Sequence, residues 1–444
     1  MESLSRQFAD FWADAAYEDL PAEAIHSVKR VILDSLAVAA AGAWTDEGEI
    51  FRRGLCNGHD GGKGEALLWG TQSRVPASVA AIVNGSNAHI LEMDDYGGSG
   101  HTGAVVVPAA VALAEREGAS GRDLILAVAA GYDMSTRALA AVGGYAAHNG
   151  DGWHSTGTCG SFAAGVAGAR MLRLPAPAFA HAIGIAGTFT GGIWAFAVEG
   201  AMAKRYHAGR AAESGVTGAL LAQAGMTGPE QIFEAPFGGF LSSFAKGHNV
   251  PEALTAELGR AIRVEDCLKS HACCLGLYPP IDALLDLMRG RSLDWRRIER
   301  MEIHAPADYV ALFDRPHASN LLEAQFSTQY CLAVAAMDGE AGIRQFQPLR
   351  IKDGDVARLM EATSVHLLDE GEARLVVHMA DGETWRQPLP TVYPPVSDER
   401  LFAKVSSLLL DRLGDARVGR LCDRVMELER EENIRDLVNL LAIA

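Results

Sequence analysis

The sequence predicts a mainly α-helical protein: a large all-helical domain with a smaller α+β lid domain inserted near its C-terminal end. Three observations carry this. A chain of 444 residues exceeds one ordinary core. Up to about Ile262 the apolar residues recur at helical spacing, with Gly and Ala at packing positions. Beyond it, strand-like alternation appears, and amphipathic helix then returns to the end. The expected boundaries are 1–265 for the helical domain, 266–396 for the lid and 397–444 for C-terminal helices rejoining the helical domain.

The elements follow in order. "PAEAIHSVKRVILDSLAVAAAG" sets Ile25, Val28, Ile32, Leu36 and Ala39 three and four apart, with Pro21 at the start and Gly42 as the expected stop. "RVPASVAAIVNGSNAHILEM" predicts a second long helix, ending in Glu92, Asp94 and Asp95. "VVVPAAVALAEREG" and "SGRDLILAVAAGYDMSTRALAAVG" follow, the latter with a Ser–Asp start. "CGSFAAGVAGARMLRL" carries Gly160, Ala164, Gly168 and Leu172 at spacing four, a face for close packing. "AAESGVTGALLAQAGMTGPEQIF" is a further helix, stopped at Gly225.

In the second part, "RIERMEIHAP" alternates Ile298, Met301 and Ile303 with Glu299, Arg300 and Glu302. "ATSVHLLDEGEARLVVHMADGETWRQPLP" predicts three strands with hairpin turns at Asp369–Gly371 and Asp381–Gly382. "YPPIDALLDLMRG" and "FSTQYCLAVAAMDG" are helical. "PLPTVYPPVSDERL" is a proline-rich exit to the last helices.

Composition excludes several classes. Apolar residues make up 49 % and charged residues 21 %, a globular and not a disordered balance. A net charge of −17 repels nucleic acid and anionic lipid, so neither nucleic acid nor membrane is an expected partner. No run approaches the roughly 18 apolar residues of a membrane span. The seven cysteines show no CxxC spacing, and the N-terminus has no signal-peptide pattern. The expectation is a cytoplasmic protein with reduced thiols.

Four clusters carry chemistry. The first is "LEMDDYGGSGHTG", where three acids, a Gly-rich break and His101 interrupt apolar helix. Acids at a helix C-terminus oppose the helix dipole, which invites a functional reading beside that of an ordinary acidic helix end followed by a Gly loop. His89, Glu92, Asp94 and His101 could also ligate a metal, but their spacing matches no metal signature, so no metal is expected. The second is "GDGWHSTGTCGSF", where His154 stands at a helix start and can act as acid or base, or simply sit beside a Ser/Thr cap. The third is "AMAKRYHAGRAAESG". Lys204, Arg205, His207 and Arg210 gather positive charge, with Lys204 and His207 on one helical face, suited to a carboxylate or to solvent. The fourth is "CLKSHACCLGLYPP" at the domain junction, with Lys269 and His271; Cys273 and Cys274 read as packing residues.

Taken in order, these segments resemble the MmgE/PrpD family. "NGSNAHILEMDDYGGSGHTGAVVVPAAVALAE", "GWHSTGTCGSFAAGVAGARML", "AKRYHAGRAAESGVTGALLAQAGMTGP", "LKSHACCLGLYPPIDALL" and "AQFSTQYCLAVAA" are similar to successive blocks of that family, in register from about residue 20 to 405. The resemblance implies a helical domain plus an α+β lid, a homodimer, and no metal or organic cofactor. It also implies chemistry on a small polycarboxylate: 2-methylcitrate dehydration, cis-aconitate decarboxylation or iminodisuccinate epimerisation.

Carried over residue by residue, it makes His101, His154, Asp94 and Lys204 the expected catalytic residues. Lys269, His271, Tyr96, Arg205 and His207 are the expected substrate-binding residues. The chain departs from the family at Tyr96, where threonine is usual, and at Thr102, where proline is usual. His271, Ala272, Cys274 and Leu312 depart too, the last two where the decarboxylase branch carries a histidine and a tyrosine. The leading expectation is a cofactor-independent lyase dehydrating a 2-hydroxy polycarboxylate of the 2-methylcitrate type, with epimerase and decarboxylase as alternatives. A silent polycarboxylate-binding protein is the non-enzyme alternative, and the histidines His101 and His154 argue against it, because Lys and Arg suffice for anion binding.

Overall fold

The computed structural model describes residues 2–56, 64–260, 262, 264–393 and 395–443. Pro394, in the proline-rich exit, lies outside them. The protein is mostly helical, and its described residues include a four-stranded sheet and a two-stranded pair, Ala66–Leu67 with Arg74–Val75.

The body is built on Ala22–Ala43, Ala77–Ala88, Gly103–Glu117, Gly121–Ala141, Gly160–Met171 and Ala203–Gln223. Gly121–Ala141 starts at a capping box: Asp123 N donates to Ser120 Oγ at 3.3 Å and Ser120 N to Asp123 Oδ2 at 3.2 Å. This helix is long and apolar enough to cross a membrane, but 83 % of its most apolar window is buried inside the protein.

Small residues let the helices cross closely. A Cβ on Gly209 would lie 2.2 Å from Ile82 O, and one on Gly215 2.3 Å from Ala164 C. The Ala203–Gln223 helix is thereby pressed onto both Ala77–Ala88 and Gly160–Met171. That crossing carries Lys204 and Arg205, at its first turn, under the loop that follows Ala88.

Two expectations change here. Gly42 does not stop its helix, which runs to Ala43; a Cβ there would lie 2.1 Å from Asn87 O, so Gly42 serves close approach instead. The second long helix ends at Ala88, so Glu92, Asp94 and Asp95 stand in a loop and not on its last turn. Beyond Ala88 the His89 N–H bonds to Ser86 O and Asn87 O, and the chain leaves the helix before reaching the acids.

In the second part, the sheet has the spatial order Thr363–Leu367, Ile298–Ala305, Arg374–Met379, Thr384–Pro388. The Asp381–Gly382 turn joins neighbours paired antiparallel, as expected, with Gly382 at φ 86°. Asp369–Gly371 does not close a hairpin. Ile298–Ala305 lies between the strands it links, parallel to Thr363–Leu367 and antiparallel to Arg374–Met379. The buried face of Ile298–Ala305 needs apolar neighbours on both edges, and local turn residues could not reveal that. The C-terminal helices Asp398–Leu413 and Asp415–Met426 pack on Ala22–Ala43, at the opposite end of the sequence.

Candidate active site

The loop from His89 to Thr102 assigns each acid a different partner. Glu92 is fully buried and sits at φ 52°, a left-handed backbone that costs a non-glycine residue about 1–3 kcal/mol. It is the counter-ion of three buried cations. Lys204 Nζ contacts its Oε1, Arg205 donates to the same oxygen at 2.8 Å, and Lys269 donates to Oε2 at 3.1 Å and to its carbonyl at 2.9 Å. Arg205 also donates to Gln325 Oε1 at 2.5 Å and lies 3.7 Å from Glu47. Burial opposes ionisation of Glu92, yet Lys204 and Lys269 outweigh it and hold the carboxyl well below the usual range.

The two lysines differ although they share Glu92. Burial lowers both; Arg205 adds repulsion at Lys204, which ends lowered, while Asp94 supports Lys269, which ends raised.

Asp94 faces two imidazoles. It lies 2.9 Å from His101 Nδ1 and 3.1 Å from His89 Nδ1. Burial works against its charge, but these two rings hold it well below the carboxylate range. An ionised carboxylate only accepts, so both rings donate Nδ1–H; burial favours their neutral forms, in which Nε2 is bare. His89 is held neutral, pushed down to about 3 by burial first and by His101 second. The ligand atoms of His89, Asp94 and His101 lie within 4.8 Å of one another, as a metal site requires. Here both Nδ1 atoms bond to Asp94 while His89 Nε2 has no partner, and Lys204 and Lys269 nearby would repel a divalent cation.

Asp95 serves the fold. Gly103 N donates to its Oδ1 at 2.9 Å, at the start of the Gly103–Glu117 helix, and the Tyr132 hydroxyl donates to its Oδ2 at 2.6 Å. Burial, with Asp94 nearby, pushes its carboxyl well up.

The Gly-rich turn is fastened by hydroxyls. Thr102 Oγ1 donates to Gly97 O at 2.7 Å and lies 2.7 Å from Ser135 Oγ, which accepts from Ser99 N at 2.9 Å. Gly98 and Gly100, at φ 58° and 124°, make the turn that returns His101 over His89, ring centroids 4.0 Å apart.

His154 reaches the same centre from the start of the short Ser155–Thr158 helix. Its ring stacks 6.3 Å from His89, and its Nδ1 lies 3.0 Å from His207 Nδ1. Thr156 Oγ1, two residues on, accepts from His101 N at 3.3 Å and couples the two segments. Burial lowers His154 well below the ordinary value, and lowers His207 to about 4.

The structure thus gathers Asp94, His101, His154, His207, Lys204, Arg205 and Lys269. Tyr96 stands edge-on to His101, with centroids 5.7 Å apart, and also meets Tyr145. His271 bonds elsewhere: its Nε2 lies 3.0 Å from Asp282, and its backbone is tied to the Tyr278 hydroxyl. Glu92, His89 and Gln325 join the cluster without having been expected as site residues. Glu92 and His89 belonged to the acid–histidine run that drew attention in the sequence. Nothing local marked Gln325, which comes from the second part of the chain. A cleft of about 1100 Å³ between the two parts shares Lys269 and Gln325 with the cluster, but its walls do not include His101, His154 or Lys204.

A helical body with a small sheet thus holds paired imidazoles and lysines around buried carboxylates, groups able to bind anions and move protons. Residues 6–253 match the MmgE/PrpD N-terminal domain and residues 271–428 the MmgE/PrpD C-terminal domain, and the chain belongs to that family. It is 29 % identical to the cis-aconitate decarboxylase-like protein oryM of Aspergillus oryzae, over 99 % of this chain and 97 % of that one. It is 27 % identical to the cis-aconitate decarboxylase of Aspergillus terreus, over 97 % of this chain and 94 % of that one. The human cis-aconitate decarboxylase matches at 25 % identity, over 99 % of this chain and 95 % of its own length.

Proposed function

We propose that the protein is a lyase of a small tricarboxylate that moves a proton at a carbon beside a carboxylate, with decarboxylation of a cis-aconitate-like acid as the first reading. The carrying observation is the Asp94–His101 pair set beside Lys204 and Lys269. The names of the relatives support decarboxylation over the dehydration that leads from the sequence alone.

The chemistry follows from the groups present. Lys204 and Lys269 draw the substrate carboxylates in competition with Glu92. Breaking the bond from carbon to carboxylate releases carbon dioxide and leaves an electron pair that spreads onto a neighbouring carboxylate. The lysines stabilise that charge, and a protonated imidazole nitrogen delivers the proton to carbon.

Dehydration of a 2-methylcitrate-type acid is the second reading, because Cys274 and Leu312 stand where the decarboxylase branch carries histidine and tyrosine, which weakens decarboxylation. There, His101 or His154 removes the proton beside the carboxylate through Nε2, and the other imidazole protonates the leaving hydroxyl. The expected assembly is a homodimer in the cytoplasm.

Proton NMR of the protein with cis-aconitate, citrate and 2-methylcitrate in heavy water tests both readings. Loss of carbon dioxide supports the first, loss of water the second, and exchange with inversion would indicate epimerisation. A panel left unchanged overturns the substrate class.

A further inference from the structure

We propose that His207 is a positioning residue which, through one proton shared between its Nδ1 and that of His154, sets whether His154 presents a bare or a protonated Nε2 to the substrate. The proposal rests on the proton-moving role given to this centre under Proposed function.

The geometry is specific. Two Nδ1 atoms 3.0 Å apart cannot both carry hydrogen, which would clash, nor both be bare, which would oppose two lone pairs. One ring donates and the other accepts. Each neutral imidazole carries one hydrogen, so the rings are opposite tautomers. If His154 donates, its Nε2 is bare and acts as a base. If His207 donates, His154 carries its hydrogen on Nε2 and acts as an acid.

The surroundings keep both rings neutral. His154 is buried, with Lys204, His89 and His101 as its charged or titratable neighbours and Trp194 and Phe196 packed on its ring. His207 follows Lys204 by one helical turn, packs on Phe196 and is partly exposed. It is the member of the pair placed to exchange protons with solvent.

The steps balance. When His154 Nε2 takes a proton from carbon, its Nδ1–H bond breaks and that proton bonds to His207 Nδ1. His207 then releases its Nε2 proton to water. His154 is left neutral, with hydrogen on Nε2, ready to act as an acid. Donation of that proton runs the same path backwards: His207 takes a proton from water at Nε2 and returns its Nδ1 proton to His154. Acid and base forms thus interchange without leaving a charged imidazole beside Lys204.

Two measurements test this. In the full-length protein with nitrogen-15-labelled histidine and no substrate, we expect His154 and His207 to show opposite tautomers linked by one Nδ1–H proton. That signal should vanish in both His154→Gln and His207→Asn. Identical tautomers in the native protein overturn the proposal. In turnover of whichever acid the native enzyme converts, His207→Asn keeps a hydrogen-bond partner near the Nδ1 position but has no second nitrogen through which to exchange. We expect kcat to fall about ten- to a hundredfold with KM nearly constant, and added imidazole to restore part of it. An unchanged kcat overturns the proposal. If the native enzyme converts none of the acids, the reading of the reaction fails, and the tautomer measurement still decides the pairing.

Discussion

Asp94 and His101 are joined by a hydrogen bond of 2.9 Å in which the ring Nδ1–H donates to a carboxylate held ionised by two imidazoles. That bond leaves Nε2 of His101 as its basic atom. Asp94→Asn offers an amide that can donate to the ring and so favours the opposite tautomer. We expect kcat to fall about 10²- to 10⁴-fold, with Tm lowered far less than by loss of a core side chain. Steady-state kinetics and thermal melting check this; an unchanged kcat would remove the pair from the mechanism.

Glu92 is the shared ion-pair partner of Lys204, Arg205 and Lys269 inside the protein. Glu92→Gln leaves those cations without their shared carboxylate, and removal of one partner from a buried ion pair costs about 3–5 kcal/mol. Chemical denaturation should show that loss. Citrate added to the variant should raise its Tm more than it raises the native value, because an external carboxylate then meets uncompensated ammonium groups.

Burial holds His89 down to about 3 and His148 down to about 4. Both values lie below the unfolded imidazole value of about 6.5. The neutral ring is thus the folded form. Its stabilising contribution is fully present above that unfolded value and is lost as the pH falls toward the folded one. Stability should therefore drop between about pH 6.5 and 4. His148→Gln, which can keep a bond to Thr158, should show a shallower drop. Melting curves across that range check the slope.

Thr102 ties the Gly97–His101 turn through its hydroxyl, to Gly97 O and to Ser135. Thr102→Val leaves Gly97 O and the serine hydroxyls short of a partner, at a cost of about 1–3 kcal/mol. We expect a lower Tm and a reduced kcat, since the turn sets the height of His101 over His89. A variant with native melting and native rate would show that the turn holds without this bond.

Much of the site was legible because its chemistry is concentrated in short runs. Asp94 and His101 fall within eight residues of each other, and Lys204 and His207 within one helical turn. Residue type and spacing were enough to mark them. Gln325 was not legible, since a buried glutamine acquires meaning only from the Arg205 it meets. His271 shared a segment with Lys269, yet its ring is paired with Asp282 one element away.

The sequence by itself determined the mostly helical body, the change of texture beyond Ile262 and the family, because periodicity and block order are local properties of a chain. Tertiary structure decided what each acid in "LEMDDYGGSGHTG" does. Glu92, Asp94 and Asp95 look alike in sequence, but a left-handed turn at Glu92 and the glycine turn before His101 send them to three lysine and arginine cations, two imidazoles, and a helix start with Tyr132. In a dry interior a carboxylate takes its role from the partners that offset its burial, and for Glu92 those partners come from more than a hundred residues away.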